Sequence, residues 1–154
     1  MSPILMALLI GVVAGLRTAT APAAVSWAAR LGWLNLGDSW AAFLAAAITP
    51  YIFTAFALVE YVVDLLPGTP SRKVPTQFGA RIVSGGFCGA AIGTAGGALI
   101  FGLVAGVVGA VIGTLGGAAV RGLIAKNIGR DWPAALIEDA VAILGAFWIV
   151  FPGL

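Results

Sequence analysis

The sequence predicts an all-α fold, a polytopic transmembrane helix bundle of about five glycine-rich spans that uses residues 1–154 as one membrane domain. Three observations carry this reading. Hydrophobic residues make up 61% of the chain and charged residues only 9%, against roughly 25% charged in a soluble domain, and mean hydropathy is +1.09. There is too little polarity to cover a surface facing water. Apolar segments recur at lengths near the roughly 20 residues needed to cross the hydrocarbon core, and glycines stand four residues apart along two of them.

The first span covers approximately 3–22. No Lys or Arg precedes Leu16 and no polar cleavage region follows, so the segment reads as a retained helix rather than a removable signal. Pro22 removes a backbone hydrogen bond and clashes with the preceding turn, which predicts a kink or break near Ala21. The shorter stretch from Ala23 to Leu31 then completes the crossing, re-enters, or lies at the interface; Trp27 and Trp33 beside Arg30 suit a headgroup level. The second span, 40–66, has Asp38 as a candidate N-cap, Pro50 as an expected kink and Pro67 as its end. From Pro67 to Gln77, three prolines and the adjacent Arg72 and Lys73 mark the central loop. Spans three and four, 78–95 and 98–125, meet in a tight turn near Gly96 and Gly97. Lys126, Asn127, Gly129 and Arg130 close the fourth, and Asp131, Trp132 and Pro133 open a fifth, 133–150, that ends at Phe151 and Pro152.

With five crossings, the Arg72/Lys73 loop and the Lys126/Arg130 turn fall on one side, which the positive-inside rule makes cytoplasmic. The amino terminus is then expected in the cytoplasm and the carboxyl terminus outside. The net charge of +2 and pI of 9.1 reflect these few loop cations, not a basic patch for nucleic acid.

Gly85, Gly89, Gly93 and Gly97 share one helix side, and Gly102, Gly106, Gly109, Gly113 and Gly117 continue the spacing on the next segment. Lacking side chains, such faces let backbones approach, and close van der Waals contact is what associates helices in lipid. The third and fourth segments should pack on each other or across a subunit boundary; a glycine-lined pore or gate is the alternative. No GK[ST] follows any of these glycines, so none forms a phosphate loop.

The residues with most chemistry are the charges inside apolar segments: Arg17, Glu60, Asp64, Arg81, Arg121, Glu138 and Asp139. Each costs roughly 2.5 to 3.5 kcal/mol at mid-bilayer on insertion scales, so each should face protein or water and be paired. Glu60 and Asp64 share a helix face, whereas Glu138 and Asp139 diverge by about 100°. Static arginine–carboxylate pairs, a substrate or ion path, and snorkelling near helix ends all remain open. Thr18 and Thr20 join the candidates because an interrupted helix leaves backbone groups free for a ligand. Zero histidines and a single cysteine, Cys88, argue against a metal, haem or iron–sulfur cofactor, an internal disulfide and a serine-hydrolase triad.

Gly15-Leu16-Arg17-Thr18 with Ala21-Pro22, Leu31-Gly32-Trp33, Glu60 with Asp64-Leu65-Leu66-Pro67, Thr69-Pro70-Ser71-Arg72, Arg81 with Ser84-Gly85, and Glu138-Asp139 resemble a family of small bacterial inner-membrane proteins classed as a domain of unknown function. The similarity spans nearly the whole chain and departs at Leu65, where many relatives carry lysine. It implies an all-helical inner-membrane protein and draws attention to Arg17, Glu60, Asp64, Arg81, Glu138 and Asp139. It implies no activity.

These readings converge on a small transporter or channel, expected to be a homo-oligomer in the lipid bilayer, since so short a chain has difficulty enclosing a path alone. Arginines favour an anionic or carboxylate-bearing substrate, with Glu60 and Asp64 as proton or cation carriers. The competing expectation is an accessory or assembly subunit of a larger membrane complex with structural ion pairs. An enzyme is not expected, although carboxylates alone could serve a membrane-embedded enzyme acting on lipid.

Overall fold

Prolines and glycines set the helix boundaries. The computed structural model describes residues 1–68 and 73–152. Among them, six α-helices and one 3-10 turn (Ala42–Ala45) account for all regular structure: α1 Pro3–Leu16, α2 Thr20–Arg30, α3 Thr49–Leu65, α4 Pro75–Ala95, α5 Leu99–Ile128 and α6 Trp132–Val150. Prolines open α1, α3, α4 and α6, where the missing N–H would have no intrahelical partner. That explains two departures from the expected boundaries. Pro50 begins α3 instead of kinking a span over 40–66, and Asp38 lies exposed in the preceding irregular segment. Pro22 sits in the first turn of α2, while the break falls earlier, where Arg17 is extended and Ala19 starts the next helix. Gly129 closes α5 with a left-handed φ of 78°, a conformation that glycine adopts without a Cβ penalty.

The break reverses the chain. α1 runs beside α5 in the same direction, since Gly11 meets Gly106 and Gly15 meets Ala110 and Gly113. α2 then returns along α3, with Thr20 against Tyr61 and Trp27 against Thr54. Trp33, just past α2, packs on Phe147 and Phe151 at the end of α6, and Pro3 lies against Gly96. α1 and α2 therefore form a helical hairpin whose tip, Arg17–Ala19, ends inside the bundle. The start of α1 and the end of α6 lie at the same end of the molecule, contrary to the expectation that the termini fall on opposite sides. The turns after α3 and α5, with Lys73, Lys126 and Arg130, occupy the other end; Arg72 and the rest of Thr69-Pro70-Ser71-Arg72 lie outside the described residues.

The predicted glycine contact forms within the chain. A Cβ on Gly85, Gly89 or Gly93 would strike α5 or the residue before it, and one on Gly102 or Gly106 would strike α4. Gly109 and Gly113 serve a second contact, with Leu8 and Val12 of α1, and Gly11 and Gly15 complete it from the other side. α5 is thus clasped by α4 and α1. Two assignments change: Gly97 is a turn residue at φ +73° with open space around it, and Gly117 lines a small apolar cleft between α5 and α6.

Two helices, α5 and α6, are long and apolar enough to cross a membrane, and α1 is apolar but shorter. The outer surface carries large apolar side chains all round, including Phe56, Val62, Phe101, Leu123 and Leu144, each more than half exposed. The buried residues include Arg17, Arg81, Glu138 and Asp139. An apolar exterior around a core that also buries charges suits lipid as solvent better than water.

Candidate functional site

A helix end buried without partners leaves several N–H and C=O groups unsatisfied, each costing about 1–3 kcal/mol. The hairpin tip has two such ends, and charged side chains from α3 and α4 answer both. Arg81 Nη1 donates to the carbonyls of Gly15 and Leu16, 2.7 Å each, at the C-terminus of α1. The Glu60 carboxylate accepts the N–H groups of Thr18 and Ala19, 2.8 Å each, at the start of α2. Ser84 Oγ donates to the Thr18 carbonyl at 2.6 Å. A cation at a helix C-terminus and an anion at a helix N-terminus also suit the two helix dipoles. The two side chains lie 3.9 Å apart, so their charges offset each other.

Arg17 occupies the tip itself and is fully buried. Its Nη2 donates to Asp64 at 2.8 Å, and its Nε lies 2.5 Å from Asp139 Oδ1 and 3.6 Å from Glu138. The contact with Asp139 is ionic only, because neither Nε nor Oδ1 forms a hydrogen bond. The guanidinium also stands over the Tyr61 ring, 5.9 Å from its centroid. Asp64 accepts a second bond, 2.6 Å from Arg121 Nη1, and Arg121 grips Asp131 with Nε and Nη2 at 3.0 and 2.5 Å.

All nine polar candidates named from the sequence meet around this tip. Arg17, Asp64, Arg121, Glu138 and Asp139 form one ionic cluster, the Arg81–Glu60 pair lies on the tip backbone next to Arg17, Thr18 enters through its backbone, and Thr20 bonds the Tyr61 hydroxyl at 2.5 Å. Glu138 and Asp139 both reach Arg17 despite their divergence, and both do so at Nε. Tyr61 and Asp131 are the members that sequence reasoning missed. Tyr61 reads as an apolar aromatic between two acids, and Asp131 as an N-cap, a position it does occupy although its side chain serves Arg121.

A cavity of about 530 Å³, bordered by Arg17, Asp64, Arg81 and Arg121, opens among Leu66, Pro67 and Gly68 at the end with the basic turns. An apolar groove of about 410 Å³ between α2, α3 and α6 runs from Thr20 and Tyr61 toward Trp33 and Val150 at the opposite end. No group of His, Cys, Asp and Glu with metal-binding geometry occurs among the described residues.

A scan against protein-family models and searches of curated proteins and of solved structures match nothing. Function must therefore be argued from the cluster.

The geometry sets what Glu60→Gln should do. A carboxylate accepts at both oxygens, whereas an amide would turn its NH₂ toward one of the two tip N–H groups. The expected loss is about 1–3 kcal/mol, read as a lower melting temperature in detergent, and an unshifted melt would refute the capping role. This variant is consequently a poor probe of transport alone.

Proposed function

We propose that the chain is a small multi-pass transporter of the bacterial inner membrane, related to the family of unknown function that it resembles. α3, α4, α5 and α6 cross the bilayer, and the α1–α2 hairpin re-enters it from the outer face. The ends carrying Lys73, Lys126 and Arg130 are cytoplasmic by the positive-inside rule, which puts both termini outside. Of the three options for the segment after Pro22, this reading takes the re-entrant one: the segment returns to the face from which it came.

The observation that carries this reading is the hairpin tip set against the ionic cavity. Irregular backbone at membrane depth is tolerated where it is buried in protein or lines a cavity, and transporters place their sites at such interrupted helices. The cavity opens to the basic end, and the tip closes it toward the other. Arg17, Arg81 and Arg121 border it and favour a small anionic, carboxylate-bearing solute. A homo-oligomer is the assembly proposed, with exposed apolar faces such as that of α3, where only Pro50 and Ala57 are buried, available for contact.

The test is uptake of a panel of carbon-14-labelled mono-, di- and amino-carboxylates into proteoliposomes. Saturable uptake of at least one solute is expected, reduced at least tenfold in Arg17→Lys, which keeps the charge but cannot face Asp64 from one nitrogen and Asp139 from another as the planar guanidinium does. Uptake at the level of empty liposomes for every solute rejects the transport reading.

One observation favours a second reading. Glu60, Arg81 and Ser84 are occupied in holding the tip, as structural charges in an accessory or assembly subunit would be. Purification in mild detergent separates the two: a foreign protein in fixed stoichiometry supports the subunit, and a pure homo-oligomer supports the transporter.

A further inference from the structure

The wall of the ionic cavity carries Arg17, Arg81 and Arg121 against Glu60, Asp64 and Asp131, so the two signs are present in equal number. Their hydrogen-bonding capacity is spent unevenly. Glu60 gives one oxygen to each tip N–H, and Asp131 gives one oxygen to Arg121 Nε and the other to Nη2. Asp64 instead accepts both Arg17 and Arg121 on a single atom, Oδ2. Its Oδ1 forms no hydrogen bond among the described residues and is not sealed from solvent. Of the arginines, the Arg17 side chain is 0% exposed and that of Arg121 is 14% exposed, close to the 15% of Asp64. Arg121 uses one hydrogen on each of its three nitrogens. A guanidinium carries five, which leaves one on Nη1 and one on Nη2. The spare acceptor and the spare donors thus belong to one ion pair, Arg121 Nη1 to Asp64 Oδ2 at 2.6 Å.

We propose that the solute of this cavity is an α-amino acid, with its ammonium on Asp64 Oδ1 and its carboxylate on a remaining N–H of Arg121. A simple carboxylate would set a second acceptor beside Asp64 Oδ1 and leave that oxygen without a donor. An amine alone would leave the Arg121 hydrogens without an acceptor. An α-amino acid carries both groups on one carbon and answers both halves of the ion pair. Its own charges cancel, so a wall balanced in sign stays balanced when it enters, and an unpaired charge at membrane depth is expensive. A volume of about 530 Å³ lies within the roughly 300–1,000 Å³ usual for small-molecule pockets. The inference rests on the transport reading for the passage of the solute, not for its binding. It keeps the carboxylate of that reading and removes the net negative charge. It also reassigns Asp64 from carrying a proton or cation to holding the ammonium, and leaves Glu60 with the hairpin tip.

Isothermal titration of the purified full chain in lipid nanodiscs reads binding without any transport. The probes are the common protein amino acids, and each one that binds is set against its des-amino acid and its decarboxylated amine. At least one amino acid is expected to bind roughly tenfold or more tightly than both of its partners, because an analogue that lacks one group leaves its site partner unpaired. Asp64→Asn should erase the preference over the des-amino acid, since the ammonium loses its counter-charge. Binding by no amino acid, a des-amino acid as tight as its parent, or an Asp64→Asn protein that keeps the original preference overturns the proposal. The comparison of analogues uses the unmutated chain and so stands even if Asp64→Asn does not fold. Amino-acid binding with no uptake in the liposome panel rejects transport and leaves the site intact; uptake of carboxylates that lack an amine, with none of any amino acid, does the reverse.

Discussion

Arg17→Met is expected to leave little folded protein in the membrane. Methionine matches the length of the arginine stem and adds no bulk, so the change isolates the charge. It leaves Asp139 and Glu138 without the guanidinium that they face and takes from Asp64 one of its two cationic partners. Breaking a buried ion pair by deleting one member costs about 3–5 kcal/mol, a large part of a total stability of roughly 5–15 kcal/mol. The measurement is the yield of monodisperse protein after detergent extraction, together with its melting temperature. Adding Asp139→Asn should recover part of the loss, because residues that share one partner do not contribute additively. Arg30→Met, at the exposed end of α2, should behave as the unmutated chain. A normal melt for Arg17→Met would mean that the cluster is solvated and its pairing immaterial.

The cluster's membership was legible in the sequence, and its wiring was not. Arg17, Asp64, Arg81 and the Glu138-Asp139 pair stand out because ionisable groups in apolar segments are expensive wherever they are not needed. Their partners are set by tertiary distance: Arg17 finds Asp64 across 47 residues, and Glu60 finds the tip N–H groups across 41 and 42. Nothing local announces the reversal at Arg17–Ala19. Pro22 is the visible signal, yet it lies inside the new helix, where a proline is tolerated; the true cause is that Glu60, Arg81 and Ser84 supply the hydrogen bonds that the tip lacks. A pattern-based reading of one broken crossing followed naturally. The pairing of α4 with α5 was readable because small residues at four-residue spacing have one principal use in lipid. The equivalent role of Gly11 and Gly15 was not, since two glycines in a short segment carry little periodicity.

The second large effect is expected at Gly106. Its Cα lies where three helices converge: a Cβ there would run into the Gly85 carbonyl and lie 3.0 Å from the Gly89 Cα, while Gly11 and Gly85 both approach the Gly106 carbonyl. The obstructing atoms are backbone, so no rotamer change relieves them, and α4 must move away. Gly106→Leu should cost more than the about 1–3 kcal/mol typical of overpacking, because separating α4 from α5 also loosens Arg81 and Ser84 from the hairpin tip. Gly106→Ala should already lower the melting temperature measurably. Gly116→Leu on the same helix faces open space and should leave it within error, which controls for helix propensity and for added apolar bulk alike. If Gly106→Leu disables uptake in liposomes while folding with a normal melt, the close contact is not structural, and α4 and α5 instead slide against each other during the transport cycle. A low melt with proportionately low yield would place Gly106 with the scaffold that holds the tip in position.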